Sequence, residues 1–457
     1  MKILLVYPLD RDFMPPSMPP MGLAYIASTL DKAGHQVSVL DLNADRDNGV
    51  APLKDILLRE SFGMIGISSI ITQFKRVKEL GKLIKSLPQN TPLVMGGPGP
   101  TSIPELYIKN CSADVVCIGE GEETITELVS LLRENKPLAL CKGIAYSDQN
   151  GNIIQTDKRA PIVDIDGIAL PLWKKFKFME LYTENFLFRN GKNRGMSILS
   201  ARGCPGHCNY CMCNFGRSLR LRSTESIFLE LRHLVEDYAI KQLHFIDYTF
   251  VSSKKRVAEI CHNFNEKFNG ISWSANVRPD LVTPENLKQM GQAGCVSLAY
   301  GIESASQKIL ECIKKGISVK QAADAIRCTR DAGISLTCYF IIGMPAETPE
   351  TVWETVDFCK ENLVGGEFFF ATPFPGTELY RYARENKIIN DEELYLEHVG
   401  EVRDFLVNLT RMSNEELFKL KEEAEAEIKL HLAKYNIFVK PSIRKDPREA
   451  SLVLPRF

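Results

Sequence analysis

The sequence predicts an α/β fold: two successive parallel-sheet units followed by a mainly helical C-terminal region. Three observations predict it. Residues 1–135 alternate short apolar runs with amphipathic stretches, residues 191–384 do so again, and after residue 384 the apolar spacing becomes helical. Strands that alternate with helices build a parallel sheet covered on both faces.

In the first unit, "KILLVYP" is followed by "GLAYIASTLDKAG" and "QVSVLDL". Then come "LKDILLRES", "MIGISSI", "QFKRVKELGKLIKSL", "PLVMGG", "DVVCIG" and "EETITELVSLLREN". The loop after the first strand, "PLDRDFMPPSMPPMG", has prolines where a dinucleotide fold places G-x-G-x-x-G, which argues against a dehydrogenase. "ISSIIT" has no aspartate after the third strand, which argues against a phosphoacceptor domain. Small residues gather instead at the later strand ends: Ser68 and Ser69, then Gly96, Gly97 and Thr101 in "GGPGPTS", then Glu120 and Gly121 in "GEGEET". Ligands of open α/β sheets bind at the carboxyl ends of the strands, and glycine there lets a large ligand approach the backbone.

Residues 136–190 read as a connector with a hairpin at "KGIAYSDQNGNIIQ", where Asn150-Gly151 is a turn signal. From 191 to 384 six strand runs follow: "MSILSA", "QLHFID", "ISWSANV", "VSLAYGI", "SLTCYFIIG" and "EFFFATP". Five helical crossovers join them, too few for an eight-stranded barrel. In the last run, alternation sends Phe368 and Phe370 to one face and Phe369 to the other. Cys338, within the fifth run, is expected to be core. Residues 385–457 are read as helical, notably "NEELFKLKEEAEAEIKLHLAKY", ending in a poorly ordered tail, "KPSIRKDPREASLVLPRF".

Composition narrows the function classes. At 44% hydrophobic and 25% charged residues the chain is an ordinary globular protein. A net charge of −1 gives no electrostatic reason to expect nucleic acid or an acidic membrane as partner. No apolar run reaches the roughly 18 residues a membrane span needs. Asp10, Arg11 and Asp12 interrupt the N-terminal apolar run, so no signal peptide is expected. These features predict a cytoplasmic protein, whose thiols stay reduced.

Four of the 13 cysteines fall within "ARGCPGHCNYCMC", residues 201–213. Disulfides are disfavoured by compartment. A structural zinc site wants four ligands, typically as two separated pairs, and no further C-x-x-C follows. Iron–sulfur clusters take cysteine thiolates. Cys204, Cys208 and Cys211 offer three on one loop directly after a strand, which leaves one iron of a [4Fe–4S] cluster without a protein ligand. If a helix begins at Cys213, that residue faces away from Cys211. His207 is expected to face solvent.

At this spacing, with Tyr210 before the last cysteine, the sequence resembles the radical S-adenosylmethionine (SAM) superfamily. Flanking segments match in order: "HFIDYTF", "WSANVRPD", "YGIES", "FIIGMPAET" and "TPFPGTELY". The resemblance implies a partial (β/α)6 TIM-like barrel with a [4Fe–4S] cluster on Cys204, Cys208 and Cys211 and SAM on the open iron. It further implies Tyr210 near the adenine, Glu303 and Ser304 at the ribose or amino-acid end of SAM, and Arg278 at its carboxylate. Gly343 and Pro345 would shape the adenine pocket.

The first unit, a flavodoxin-like (Rossmann-type) sheet, resembles the cobalamin (B12)-binding domain found ahead of the barrel in one class of that superfamily. Gly22 in "PPMGLAYIAS" matches the start of that domain's first helix. Ser68, Ser69, Gly96, Gly97, Thr101, Glu120 and Gly121 fall where the nucleotide tail of cobalamin threads. The first loop lacks the Asp-x-His-x-x-Gly of the mutases, which implies no histidine on cobalt. The resemblance implies a C-methyltransferase that uses two SAM molecules. One remethylates cobalt. The other yields a 5′-deoxyadenosyl radical that activates an unreactive carbon of a small-molecule substrate, which then takes the methyl group from methylcobalamin. A low-potential electron donor such as flavodoxin or ferredoxin is implied. Two alternatives stay open: a tetrapyrrole-cyclase-like or ring-rearranging enzyme with the same cofactors, and a radical SAM enzyme with a vestigial B12 domain.

Overall fold

The computed structural model describes residues 1–10, 15–88, 90–188, 191–400 and 402–437. The tail expected at 440–457 lies outside the described residues, as do residues 11–14 of the first loop.

The first unit runs β1 (Lys2–Tyr7), α1 (Met21–Lys32), β2 (Gln36–Asp41), α2 (Ala51–Arg59), β3 (Met64–Ser68), α3 (Phe74–Ser86) and β4 (Leu93–Gly96). It continues with α4 (Pro98–Ser102), α5 (Pro104–Cys111), β5 (Val115–Cys117) and α6 (Gly121–Arg133). Side-chain alternation along β1 feeds two cores: Ile3 and Leu5 join one, Leu4 and Val6 the other. The parallel order β2-β1-β3-β4-β5 is the doubly wound arrangement whose direction of winding reverses between β1 and β3. The expected hairpin forms as β6 (Ile144–Ser147) and β7 (Ile153–Gln155), and it continues this sheet antiparallel from β5. Gly151 takes φ 82° at its turn, where Asp148 Oδ1 accepts from the Asn150 and Asn152 amides. Helix α7 (Met179–Glu184) ties the following segment back to the sheet, its Tyr182 hydroxyl donating to Asp41 Oδ2 at 2.8 Å.

The second unit begins with β8 (Gly195–Ile198). A short clip follows, β9 (Ala201–Arg202) paired antiparallel with β10 (Arg220–Leu221), and the cysteine loop lies between its arms. Then come α8 (Thr224–Tyr238), β11 (Gln242–Phe245), α9 (Lys254–Lys267), β12 (Ser272–Val277), α10 (Pro284–Gln292) and β13 (Cys295–Glu303). The unit closes with α11 (Gln307–Cys312), α12 (Val319–Asp331), β14 (Ser335–Ile342), α13 (Pro349–Glu361) and β15 (Gly366–Phe370). All six strands are parallel in the order β15-β14-β13-β12-β11-β8, a partial barrel with helical crossovers. On β12 Trp273, Ala275 and Val277 are buried towards the helices, whereas Ser272, Ser274 and Asn276, on the opposite side, are only partly buried. Cys338 is fully buried, and Phe368 and Phe370 enter the same core as expected. Phe369 points the other way, beside Tyr339.

Helices α14 (Glu378–Glu385), α15 (Glu392–His398) and α16 (Asn414–Ala433) complete the described chain. Leu417, Leu420, Ala424, Ile428 and Leu432 form the buried stripe of α16, a spacing of three and four that lays one face on the core. Among the described residues no helix is long and apolar enough to cross a membrane.

Candidate functional site

The cysteine loop is built from its ends inward. Gly203 holds φ 88°, and a Cβ there would stand 2.1 Å from the Ser218 carbonyl oxygen, so only glycine lets the two arms close. The Cys204 amide donates to Gly216 O at 3.1 Å. The base of the loop is held by a buried carboxylate. Asp247 Oδ1 accepts from the Ser200 amide at 2.6 Å and the Ala201 amide at 3.0 Å, and Ser200 Oγ donates to Oδ2. The far side is held by Asn209, whose amide donates to Ile313 O and whose carbonyl accepts from the Leu379 amide.

The three thiols expected as ligands are neighbours on one loop. Cys208 is buried, and Cys204 and Cys211 are partly exposed. Burial pushes the Cys211 thiol up to about 12, and the neighbouring Cys208, Cys213 and Cys204 add to the shift. Gly206 sits between them: a Cβ there would meet Cys204 Sγ at 3.4 Å and Cys208 Sγ at 4.0 Å. Cys213 stays beside the other three, and no helix starts there. Its thiol donates to Gly216 O at 2.9 Å, within its own loop. His207 is exposed. Among the described residues no three His, Cys, Asp or Glu side chains converge on a single metal ion. The donor set is three thiols on one loop, which fits an iron–sulfur cluster.

Beside the thiols, Glu303 and Tyr210 are joined by a residue the sequence reading missed. Lys315 Nζ donates to Glu303 Oε1 at 2.7 Å and to the Tyr210 hydroxyl at 3.4 Å. A lone lysine in a helix-to-helix loop carries no motif that could have announced it. Arg278 spends its forked edge on Asp280, at 3.0 and 3.2 Å, and donates to Lys315 O. Its Nη1 faces Gly206. Ser304, expected at SAM, is engaged locally. It is fully buried, its hydroxyl lies 3.3 Å from Thr355 Oγ1, and it accepts from the Ser306 amide, so here it closes a turn. Gly343 takes φ 98°, and Pro345 follows on the same turn, which Glu347 fastens by accepting from the Gly343 and Met344 amides.

The carboxyl edge of the first sheet supplies the second part of the site. Gly97 takes φ 98°, and a Cβ there would stand 2.7 Å from the Ser69 carbonyl and 3.3 Å from Ser68 Oγ. Gly96 precedes it at the end of β4. Ser69 Oγ lies 3.2 Å from the buried Tyr107 hydroxyl, and Thr101 Oγ1 accepts from the Gly119 amide at 3.1 Å. Around Gly119 and Gly22 no atom lies within 4 Å of where a Cβ would be. This bare, backbone-lined edge fits a large ligand lying along it. Gly121 is close-packed, its Cβ position being 2.8 Å from Ile26. Glu120 pairs with Arg202 at 3.2 Å and with Arg220, the two arms of the clip.

Two domain families match in the same order as the two sheets. A B12 binding domain matches residues 14–129, and the radical SAM superfamily matches residues 198–359. An uncharacterised methyltransferase of Pyrococcus horikoshii is 34% identical over 397 residues, covering 85% of this chain and 84% of that protein. Cytidylyl-2-hydroxyethylphosphonate methyltransferase of Streptomyces wedmorensis is 28% identical, over 86% of this chain and 83% of that protein. In structure, the chain is similar to the radical SAM methyltransferase TsrM of Kitasatospora setae, solved with cobalamin and a [4Fe-4S] cluster. The TM-score is 0.71 at 21% identity, over 84% of this chain and 75% of that one, a likeness of fold. With both domain families in sequence and a relative matched over most of its length, this chain belongs to the radical SAM superfamily, in the class that carries an N-terminal B12-binding domain.

Proposed function

We propose that the protein is a cobalamin-dependent radical SAM enzyme that methylates an unactivated carbon of a small-molecule substrate. One observation carries the reading: the three-thiol loop and the glycine-lined edge of the first sheet are fastened directly to each other, through Glu120 and the clip arginines. Such chemistry needs a radical source and a methyl donor held close together. When bound, the cluster with SAM supplies a 5′-deoxyadenosyl radical and cobalamin supplies the methyl group.

The chain's own residues divide the work. Cys204, Cys208 and Cys211 would hold the cluster, and the Asp247 and Asn209 contacts fix their loop. Glu303, oriented by Lys315, and Tyr210 would bind SAM beside it, with Arg278 Nη1 and the Gly343–Pro345 turn shaping the same pocket. Ser68, Ser69, Gly96, Gly97 and Thr101 would lie along the nucleotide tail of cobalamin, with Gly22 and Gly121 at the helix starts that flank it. A low-potential donor such as flavodoxin or ferredoxin would deliver the electron. All thirteen cysteines are free, which suits the reducing cytoplasm.

The test supplies SAM carrying a labelled methyl group, reductant and candidate substrates to anaerobically reconstituted protein. A labelled product heavier by one CH₂ supports the reading. Methylation that persists in corrinoid-free protein contradicts it, and a product of unchanged carbon count points to cyclisation or rearrangement.

A further inference from the structure

The four charges between the two sheets form one buried cluster. Arg202 pairs with Glu120 and Glu122, and Arg220 pairs with Glu120. Their side chains are 4% (Arg202), 6% (Glu120), 10% (Glu122) and 7% (Arg220) exposed. The two arginines are direct partners in the antiparallel clip that brackets the cysteine loop. The two glutamates stand at the start of α6, adjoining the bare edge at Gly119. There the helix dipole favours anionic side chains. Arg202 is also sandwiched: its guanidinium lies 5.3 Å from the Tyr25 ring of α1 and 5.0 Å from the Phe215 ring of the cysteine loop. Arg220 further donates to Phe215 O at 2.7 Å. One short segment, residues 119–122, therefore borders the edge of the first sheet and grips both arms of the loop that carries the thiols.

We infer that Glu120, Glu122, Arg202 and Arg220 are positioning residues that set the cysteine loop against the carboxyl edge of the first sheet and so fix the relative placement of the two ligand sites. What the sites hold rests on the function proposed above; the clamp itself rests on geometry. Arginine suits it because its planar fork meets carboxylates on fixed vectors. A separate ion-paired contact, Lys78 with Glu393 and Glu397, joins α3 of the first unit to α15 of the C-terminal region and provides a control for docking in general.

Hydrogen–deuterium exchange on the full-length protein tests the clamp without any activity. In Glu122→Gln, exchange of segments 119–122 and 201–221 should rise together by about tenfold, and Glu393→Gln should leave both unchanged. If Glu122→Gln does not fold, Arg202→Lys, which keeps the charge and loses the fork, should give the same paired rise. Exchange that stays at the parent level, or rises equally in Glu393→Gln, overturns the inference. With reconstituted protein, Glu122→Gln should still cleave SAM, while product methylated per 5′-deoxyadenosine falls about tenfold; a parallel fall of both also overturns it. Parent protein that cleaves SAM but methylates nothing would refute the proposed function and leave the exchange result standing.

Discussion

Glu303 Oε1 receives Lys315 Nζ at 2.7 Å, with both side chains at most 10% exposed. Glu303 holds φ 71°, a left-handed conformation that costs a non-glycine residue free energy. It sits where the register between β13 and β14 shifts, and bulges of this kind re-aim a side chain. Gly301 clears the space, since a Cβ there would stand 2.4 Å from Glu303 Oε1 and 3.2 Å from Lys315 Nζ. Strain, bulge and glycine all serve one carboxylate.

Removing Lys315 leaves that carboxylate buried without its counter-charge. Lys315→Met should therefore destabilise the protein by about 3 kcal/mol, read by denaturant unfolding, and weaken SAM binding by about tenfold. Gly301→Ala should weaken SAM binding in the same direction while Lys315 is still present. Parent-like SAM affinity in both variants would remove Glu303 from the binding site.

Asp247 acts on the cysteine loop through the backbone. Asp247→Ala strands the buried amides of Ser200 and Ala201 and the Ser200 hydroxyl, at about 1–3 kcal/mol per orphaned group. Iron and sulfide content after reconstitution should fall with stability. Asp247→Asn, which still presents a carbonyl oxygen to the two amides, should recover most of both.

Glu347 gives a pH signature. Burial raises its carboxyl from 4.5 to about 7, opposed by the Gly343 and Met344 amides. Between those values the unfolded chain releases the proton while the folded chain keeps it, so this group's contribution to stability falls as pH rises from about 4.5 to 7. Glu347→Gln should match the parent near the lower limit and exceed it above the upper one. Chemical denaturation across that range checks the crossing; an offset that does not change with pH would contradict it.

The fourth cysteine separates the ligand set from its neighbour. Cys213→Ala should retain the iron and sulfide content of the parent, because its thiol is bonded to Gly216 O. Alanine at Cys204, Cys208 or Cys211 should lose the cluster. Metal and sulfide analysis after anaerobic reconstitution separates Cys213→Ala from the other three variants.

Much of this architecture was legible in the sequence because it is periodic. The six barrel strands, their five crossovers and the Asn150-Gly151 hairpin all carry repeating apolar spacing or a turn dipeptide. The β9–β10 clip is too short to show any period, although it frames the whole site. Helices α4 and α5 hide in "GGPGPTSIPELYIKNC", which reads as a loop although Pro98 and Pro104 stand at helix starts, where proline is favoured. The ligand cysteines were visible because their spacing is local. Lys315 and the Glu120–Arg202 pair were not, because each depends on partners brought together from distant segments. Ser304 and Glu120 were assigned by position in a motif, and the structure gives both a scaffolding contact.

The central claim is that three thiols at the barrel mouth leave one cluster iron for SAM. Electron–nuclear double resonance on the reduced, reconstituted protein with SAM labelled by nitrogen-15 at its amino group tests it most directly. The account predicts a nitrogen hyperfine coupling that is present in Cys213→Ala and absent without SAM. A cluster that forms yet shows no coupling to the label would contradict it.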